Sequence, residues 1–248
     1  MSKSLGGTIF VRNAIEFDYC IVESIQCLKE LCDEVIVVEC GSDDGTVELI
    51  RDMVDEKTTI INIDKSEWDK QHGREKLAYF TNMAIGCLTT DYNINLQADE
   101  VIHENSFLAI REAINTAGEA FYCTRKNLWK DCNHVLDVPQ ERKPCSTEII
   151  RLAKSNYRSV GDGESLGAPA STDFLKEIVF FHYGFVRKKE VMISKIKNMQ
   201  TNVFEIDYDK KMDGMEVFDW SAWFSEEDLK PITEEHPKFI KNWLVGRP

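Results

Sequence analysis

The sequence lacks the cysteine spacing of a structural zinc site. It has eight cysteines, but no two of them form a C-x-x-C pair, which such sites usually contain. It also has no apolar run near the roughly 20 residues that cross a bilayer. Its first residues show no apolar signal-peptide region. We therefore expect a cytoplasmic protein whose thiols are reduced and mostly buried.

Positive charge is scarce. The chain has 30 Lys and Arg against 43 Asp and Glu, for a net charge of −13. This balance argues against a broad electrostatic grip on nucleic acid, because phosphate neutralisation needs Lys and Arg. A local basic groove stays possible. The clearest basic run, Arg187-Lys188-Lys189 followed by Lys195 and Lys197, is typical of a solvated helix face.

The first hundred residues alternate between strand-like and helix-like patterns. At 248 residues, the chain fits one large α/β domain, or a domain with an appendage. Alternation of this kind predicts right-handed crossovers and a mostly parallel sheet. Short β-branched runs predict strands at 8–12, 34–39, 59–64 and 92–97, and helical spacing of apolar residues predicts helices at 18–32, 46–54 and 73–89.

The pattern changes after residue 104. We predict further helices at 104–116 and 188–199 and strands at 120–125, 147–152 and 179–183. The polar stretch 132–146 predicts a hairpin or flap, and the Gly-rich stretch 157–170 a loop near the site. The acidic, aromatic segment 201–248 is expected to pack on the main body.

Polar side chains follow all four of the first predicted strands. In open α/β sheets, ligands bind at the carboxyl ends of the strands. The most informative end is the segment 93–102, where an apolar strand stops in the acidic pair Asp99-Glu100. Carboxylates there suit a hard cation such as Mg²⁺ or Mn²⁺. The alternative is that the pair caps the next helix.

Two segments resemble those of a known family. Residues 37–46, VVECGSDDGT, resemble the V-V-D-x-G-S-x-D-G-T segment of family 2 glycosyltransferases with the GT-A fold. Residues 96–100, LQADE, resemble that family's L-D-A-D-E segment, which contains the metal-binding DxD motif. The helix between them carries Arg74 and Asn82, which resemble the family's Arg and Asn positions. The resemblance covers about residues 8–104 well and the rest weakly.

The resemblance implies a GT-A fold, that is, an α/β domain with a Rossmann-like, mixed, mostly parallel sheet flanked by helices. We expect that domain to occupy residues 1–200, with a nucleotide-sugar half at about 8–104 and an acceptor half at about 105–200. The segment 201–248 would then be a C-terminal extension on the acceptor side.

The resemblance also implies a nucleotide-sugar donor, most commonly a uridine nucleotide. Glu39 would contact the base or ribose and Asp64 the uracil edge, since carboxylates accept hydrogen bonds from hydroxyls and imide N–H groups. Asp44 lies in the same donor-binding segment. Arg12 and Arg74 are candidates for the diphosphate, through their forked donors.

The resemblance further implies a Mn²⁺ or Mg²⁺ ion held by Asp99 against the diphosphate. One departure matters, because Gln97 stands where the family has the first acid of the DxD motif. An amide oxygen is a poorer metal ligand than a carboxylate. His182 is the predicted third ligand; its alternative is a hydrogen-bonded histidine between aromatic neighbours.

An inverting transferase needs a general base for the acceptor hydroxyl. Glu164 is the first candidate and Asp162 the second, in the Gly-rich stretch 161–164, and the alternative there is a solvated acidic turn. The commonest acceptor in this family is a saccharide, while a protein side chain or a modified DNA base stays possible. Two other functions stay open: a sugar nucleotidyltransferase, although residues 12–14 lack the expected glycines, and a non-catalytic module that binds nucleotide sugars.

Overall fold

The chain folds around one mixed sheet flanked by helices. The computed structural model describes residues 2–203, apart from 168, 170 and 171, and residues 215–247, apart from 217. Two residues of the predicted loop 157–170, namely 168 and 170, therefore lie outside the described residues. In the predicted extension 201–248, the same is true of residues 204–214, 217 and 248.

The first half alternates strands and helices as predicted. Every predicted element is present, with bounds shifted by a few residues, and one short helix is additional. In chain order the elements are β1 (Leu5–Val11), α1 (Ile21–Leu31), β2 (Glu34–Glu39), α2 (Thr46–Arg51), β3 (Thr58–Asn62), α3 (Lys65–Lys70), α4 (Glu75–Gly86) and β4 (Tyr92–Leu96). The helix missing from the prediction is α3.

The second half contains more strands than predicted. The acidic pair does not simply end β4, because Glu100 begins a separate short strand. The elements are β5 (Glu100–Ile102), α5 (Phe107–Ala113), β6 (Ala120–Trp129), β7 (His134–Leu136), β8 (Glu148–Lys154), β9 (Ser159–Val160), β10 (Ser165–Leu166), β11 (Asp173–Phe185), α6 (Lys189–Asn198), β12 (Leu229–Pro231) and α7 (Lys241–Leu244).

Among the described residues, ten strands form the main sheet. Its central path runs β12-β7-β6-β8-β4-β1-β2-β3, with β11 pairing to β5 and β6. Strands β3, β2, β1 and β4 are mutually parallel, and β8 lies antiparallel to β4. The predicted fold class, an α/β domain with a mixed sheet built on a parallel half and flanked by helices, is confirmed.

Burial explains why the central strands read as continuous apolar runs. Helices cover both faces of the parallel half, so β4 is buried along its whole length. On one face, α1 packs Ile21, Ile25 and Leu28 into the main core. On the other, α4 packs Phe80 against Trp68 of α3. Because helices cover both faces of the parallel half of the sheet, the polar ends of its strands are where a ligand can reach it.

The C-terminal segment contacts the main body at several points. β12 pairs antiparallel with β7, and Ile240 is fully buried in the main core. The Trp243 ring lies edge-on to Tyr183, with 5.6 Å between centroids. None of the helices in the described part of the chain has the length and apolar character that crossing a bilayer demands.

Candidate active site

A cavity of about 450 Å³ lies at the carboxyl ends of β1 and β4. Residues that directly follow these strands line it, and so do side chains from β11 and α6. It therefore lies where the parallel half of the sheet meets the second half of the chain. Most of the sequence-predicted site residues line this cavity, namely Arg12, Arg74, Gln97, Asp99, Asp162, Glu164 and His182.

One wall of the cavity is an aromatic and cationic surface around Trp68. The Trp68 side chain is 8% exposed and stacks on Phe80, with ring centroids 5.1 Å apart. The Arg12 guanidinium lies 5.4 Å from the Trp68 ring centroid and the Lys76 ammonium 4.6 Å. An indole flanked by cations suits a ligand that combines a flat ring with negative charge.

Asp64 supports this wall from outside the cavity. It is the N-cap of α3, and its carboxylate accepts from the Ser66 backbone N–H at 2.8 Å. Because α3 carries Trp68, this cap fixes where the indole stands. Asp64 is not among the described residues that line the cavity, and its predicted contact with a uracil edge stays a prediction.

Glu39 and Asp44 shape the turn after β2. Glu39 is buried and accepts from the backbone N–H groups of Gly41 at 3.1 Å and Ser42 at 2.8 Å. Asp44 accepts from the Thr46 backbone N–H at 3.0 Å and the Thr46 hydroxyl at 2.6 Å. Neither carboxylate is among the described cavity-lining groups. Their predicted roles toward the donor are untested, and the bonds found are those of a structured turn.

The same turn positions Arg12. One guanidinium nitrogen, Nη1, donates to the carbonyl oxygens of Cys40 at 2.9 Å and Gly41 at 3.0 Å. The guanidinium is therefore held over Trp68 by backbone atoms rather than by a carboxylate. An arginine without a bonded carboxylate keeps its full charge for an anionic ligand.

Asp99 also lines the cavity, and it is bound to two cations. Its Oδ2 accepts from Lys195 Nζ at 2.8 Å and Arg187 Nη2 at 3.2 Å. His182 Nε2 lies 3.7 Å from its Oδ1. Burial alone would raise the pKa of the Asp99 carboxyl, but the charges of Lys195 and Arg187 outweigh it and hold that pKa well below its usual value. Asp99 is therefore a fixed anion.

His182 is neutral, and its hydrogen bonds fix its tautomer. Asn127 donates its amide to the carbonyl oxygens of Cys145 and Ser146 at 3.2 and 3.3 Å. Its Oδ1 therefore faces His182 Nδ1, 2.9 Å away, and accepts from it. Burial, opposed by the Asp99 carboxylate, lowers the His182 pKa to about 4. The Nε2 lone pair consequently faces Asp99.

Gly184 is required beside this histidine. A Cβ at Gly184 would lie 2.2 Å from His182 Nε2 and 2.4 Å from Cε1. Any side chain there would push the imidazole out of its position. The same residue offers its carbonyl oxygen to Lys195 Nζ at 2.8 Å, so one glycine shapes both partners of Asp99.

The two cations at Asp99 correct the expectation of a solvated basic face. Lys188, Lys189 and Lys197 are exposed, but Arg187 is 1% exposed and the Lys195 side chain is 11% exposed. Spacing along α6 does not separate them. Lys195 lies three residues after the buried Met192, but the exposed Lys197 likewise lies four residues after the buried Ile193.

A buried network of arginines and glutamates lies behind Asp99. Glu100 Oε1 accepts from Arg125 at 3.2 Å and Arg151 at 3.1 Å, and all three side chains are at most 1% exposed. Arg125 also bonds the Glu164 carboxylate. The sequence analysis does not single out Arg125 or Arg151, although an arginine within a predicted buried strand is the signal that points to them.

The network leaves Glu164 little capacity as a base. Besides Arg125, its oxygens accept from the Ser146 backbone N–H at 2.9 Å and the Ser146 hydroxyl at 2.7 Å. Burial would raise the Glu164 pKa, but Arg125 and Ser146 outweigh it, so the pKa lies below its usual value. The carboxylate is ionised and already accepts three hydrogen bonds, two on Oε1 and one on Oε2.

Asp162 lies in the same loop with fewer bonds. Among the described residues, the hydrogen bond that its carboxylate accepts comes from the Glu164 backbone N–H, at 3.3 Å. The loop is held from α4, because the Asn82 amide both donates to Ser159 O at 3.0 Å and accepts from Ser159 N at 2.7 Å. Asn82 thus positions the loop rather than lining the cavity.

A further part of the cavity lining is aromatic. Trp129 lies 4.6 Å from Phe185 and 4.9 Å from Phe224 between ring centroids. Phe218 stacks on Trp223 at 4.6 Å. Trp129, Phe185, Phe218 and Trp223 all line the cavity. Flat rings of this kind suit the apolar faces of a saccharide.

The predicted metal ligands do not fit a divalent ion as they are arranged. Asp99 and His182 form a pair with the correct atom types, but Asp99 already binds two cations that would repel an incoming ion. Gln97 contributes at best a neutral oxygen. No group of three or more His, Cys, Asp or Glu side chains able to hold a metal occurs among residues 2–203 and 215–247 as described. The metal prediction is untested, and the arrangement of charges does not favour it.

No family model matches this chain, and no curated protein matches it. Among solved structures, it is similar to S. aureus TarS, with 12% identity, a TM-score of 0.46, and coverage of 84% of this chain and 41% of that one. S. aureus TarS 1-349 in complex with UDP matches with 14% identity, a TM-score of 0.40, and coverage of 61% and 47%.

A further match is mannosyl-3-phosphoglycerate synthase from Rubrobacter xylanophilus, with 16% identity, a TM-score of 0.37, and coverage of 50% of this chain and 41% of that one. This chain spans less than half the length of each of these solved chains. The function of this chain must therefore be inferred from its own residues.

Proposed function

We propose that this protein is a GT-A glycosyltransferase that moves a sugar from a nucleotide-sugar donor, UDP-linked in the first instance, to an acceptor hydroxyl. The observation that carries the proposal is the single cavity at the carboxyl ends of β1 and β4. It combines a ring-binding cationic wall at Trp68 with a charged cluster at Asp99. A nucleotide sugar needs both, because it presents a flat base and a diphosphate.

The donor would span the cavity from Trp68 toward Asp99. Arg12 and Arg74, which line the cavity, would bind the diphosphate, since guanidinium groups match phosphate oxygens with paired donors. Fixing the diphosphate between two sides of the cavity holds the anomeric carbon in one place, and such positioning supplies much of the rate in transfer reactions.

The acceptor would enter from the aromatic side. Its hydroxyl oxygen attacks the anomeric carbon, the bond from that carbon to the phosphate oxygen breaks, and the electron pair stays with the leaving nucleoside diphosphate. The hydroxyl proton passes to a carboxylate. We propose Asp162 for this role, ahead of Glu164, because Arg125 and Ser146 already occupy the oxygens of Glu164. Attack opposite the leaving group inverts the anomeric centre.

The acceptor class that we propose is a saccharide. The rings of Trp129, Phe185 and Trp223 line the acceptor side of the cavity, and such rings stack on the apolar faces of sugars. A modified DNA base is the less favoured acceptor, because the net charge of −13 opposes the approach of a polyanion.

The experiment is a turnover assay with a panel of nucleotide sugars and saccharide acceptors. Release of free nucleoside diphosphate supports the transferase. Formation of a nucleotide sugar from nucleoside triphosphate, with pyrophosphate released, would instead indicate a nucleotidyltransferase. Arg74→Ala should lower turnover, whereas Arg158→Ala, an exposed arginine that donates to the backbone oxygens of Ser155 and Tyr157, should not. Binding of nucleotides without turnover of any donor would leave only a binding module.

A further inference from the structure

Lys195 lies where its ammonium can bind a ligand in the cavity. It lies on α6, lines the cavity, and donates to Asp99 Oδ2 and Gly184 O, both at 2.8 Å. A lysine ammonium has three N–H donors. The two bonds to described residues leave the third for a ligand in the cavity. Lys195 Nζ lies 5.3 Å from the ring centroid of Tyr19 and 5.7 Å from that of Phe185, so cation–π contacts also stabilise the ammonium.

Arg187, the second cation at Asp99, has a different role. Its side chain is fully buried, and it donates to backbone oxygens of Phe17 at 2.7 Å and Tyr183 at 3.1 Å, as well as to Gly184. Unlike Lys195, it is not among the described residues that line the cavity. Arg187 therefore joins the N-terminal segment to β11, and Lys195 is the member of the pair that a ligand can reach.

We propose that the Lys195 ammonium takes the place of a divalent cation at Asp99, so that this chain neutralises the leaving nucleoside diphosphate without a metal ion. The inference rests on the proposed transferase function. As the bond from the anomeric carbon to the phosphate oxygen breaks, the electron pair moves to that oxygen and Lys195 donates to the diphosphate. The acceptor oxygen forms the new bond, and its proton goes to Asp162.

The charges around Asp99 are consistent with this substitution. A metal-dependent site needs carboxylates that stay available to the ion, whereas here one carboxylate oxygen holds both Lys195 and Arg187. Asp99 then serves to position Lys195 instead of binding a metal. The residue before it that would complete a two-carboxylate metal site is Gln97, which adds no charge and so fits a site without a divalent ion.

The same geometry predicts what removal of Lys195 would expose. Asp99 Oδ1 and the unprotonated His182 Nε2 face each other at 3.7 Å, and they are an oxygen and a nitrogen ligand of the kind that Mn²⁺ accepts. Lys195→Met removes the repelling charge that faces the cavity while keeping most of the length of the side chain, and Arg187 stays bound to Oδ2. We therefore expect this variant to gain a metal requirement that the natural chain lacks.

The first test measures nucleotide binding by calorimetry, with UDP and GDP as probes, in EDTA and in 1 mM Mn²⁺. The natural chain should bind one of them equally well, within about threefold, under both conditions. Lys195→Met should bind it at least tenfold more weakly in EDTA and recover with Mn²⁺. Lys197→Met, an exposed lysine on the same helix, should match the natural chain. Lys195→Arg, which keeps the charge, should stay independent of Mn²⁺ and covers the case in which the Met variant does not fold.

The second test measures donor turnover under the same conditions. We expect EDTA to leave the natural rate within twofold and Lys195→Met to lose about 100-fold, the usual effect of removing one group that stabilises a developing charge. Binding or turnover by the natural chain only with Mn²⁺ would overturn the proposal about Lys195 while supporting the transferase. Absence of UDP or GDP binding in every condition would overturn both.

Discussion

Glu100→Gln should destabilise the fold strongly. The Glu100 side chain is fully buried and bridges Arg125 and Arg151, which are also buried. The amide has nearly the same shape but no charge. Arg125 keeps Glu164 as a partner. Among the described residues, the other acceptors bonded to Arg151 are the neutral oxygens of Asn95, at 2.7 Å, and Gly163, at 3.1 Å. One buried guanidinium thus loses its counter-charge.

Breaking a buried ion pair from one side costs about 3–5 kcal/mol. That is a large share of the roughly 5–15 kcal/mol by which domains are stable. At about 2–4 °C per kcal/mol for a chain of this size, the melting temperature should fall by about 6–20 °C. The assay is urea unfolding followed by tryptophan fluorescence, which gives the free energy of unfolding for both forms.

Glu119→Gln is the matched control. Glu119 pairs with Lys154 at the surface, where both side chains are more than a third exposed, so its loss should lie within the error of the measurement. If Glu100→Gln lowered the free energy of unfolding no more than Glu119→Gln, the network would not hold the fold together, and the reasoning would fail.

Lowering the pH should reduce the difference in the free energy of unfolding between Glu100→Gln and the natural chain. Burial would raise the Glu100 pKa, but Arg151 and Arg125 outweigh it and lower that pKa in the folded state. The unfolded value is near 4.3. The contribution of the carboxylate is therefore complete above that pH and is lost as the pH falls through the folded pKa.

Three further outcomes follow from the site. Asp162→Asn should lower kcat by about 10²–10⁴-fold, as for loss of a general base, whereas Glu164→Gln should mainly lower the free energy of unfolding; kinetics and urea unfolding on both variants separate the two roles. Burial and Arg187 lower the pKa of Lys195 to about 8, although the Asp99 carboxylate acts in the opposite direction. We therefore expect kcat/KM to fall above about pH 8, where the ammonium loses its proton. In Lys195→Arg this fall should move to higher pH. The pKa of His182 in the folded state is about 4, below its value in the unfolded chain. The free energy of unfolding should therefore fall as the pH drops from about 6.5 toward 4, and it should fall less steeply in His182→Gln. Urea unfolding at pH 7 and pH 5 measures this for the natural chain and the variant.

The sequence predicted the parallel half of the sheet because its signals are local. Buried β-branched runs such as 34–39 alternate with amphipathic helices such as α1, and burial on both faces makes the pattern clear. The helix α3 was missed because its six residues, KSEWDK, carry a single apolar side chain. Its existence depends on the Asp64 cap and on Trp68 packing against Phe80, which is a tertiary contact.

The candidate site was predicted in part for the same reason. Residues that directly follow β1 and β4, such as Arg12 and Asp99, line the cavity because the carboxyl ends of parallel strands meet there. Carboxylates such as Glu39 instead accept hydrogen bonds from backbone N–H groups of their own turn. A carboxylate at the end of a strand can do this as readily as it can bind a ligand. Lys195 was missed because its partner lies 96 positions away along the chain, and no local pattern shows that this lysine of α6 meets Asp99 in the turn after β4.

The most direct test of the account is a crystal structure of the protein with UDP bound in the absence of divalent cations. The account predicts the uracil ring against Trp68 and the diphosphate between Arg74 and Lys195, with Lys195 Nζ within hydrogen-bond distance of a phosphate oxygen. A nucleotide bound outside this cavity, or a diphosphate in contact with neither Arg74 nor Lys195, would contradict it.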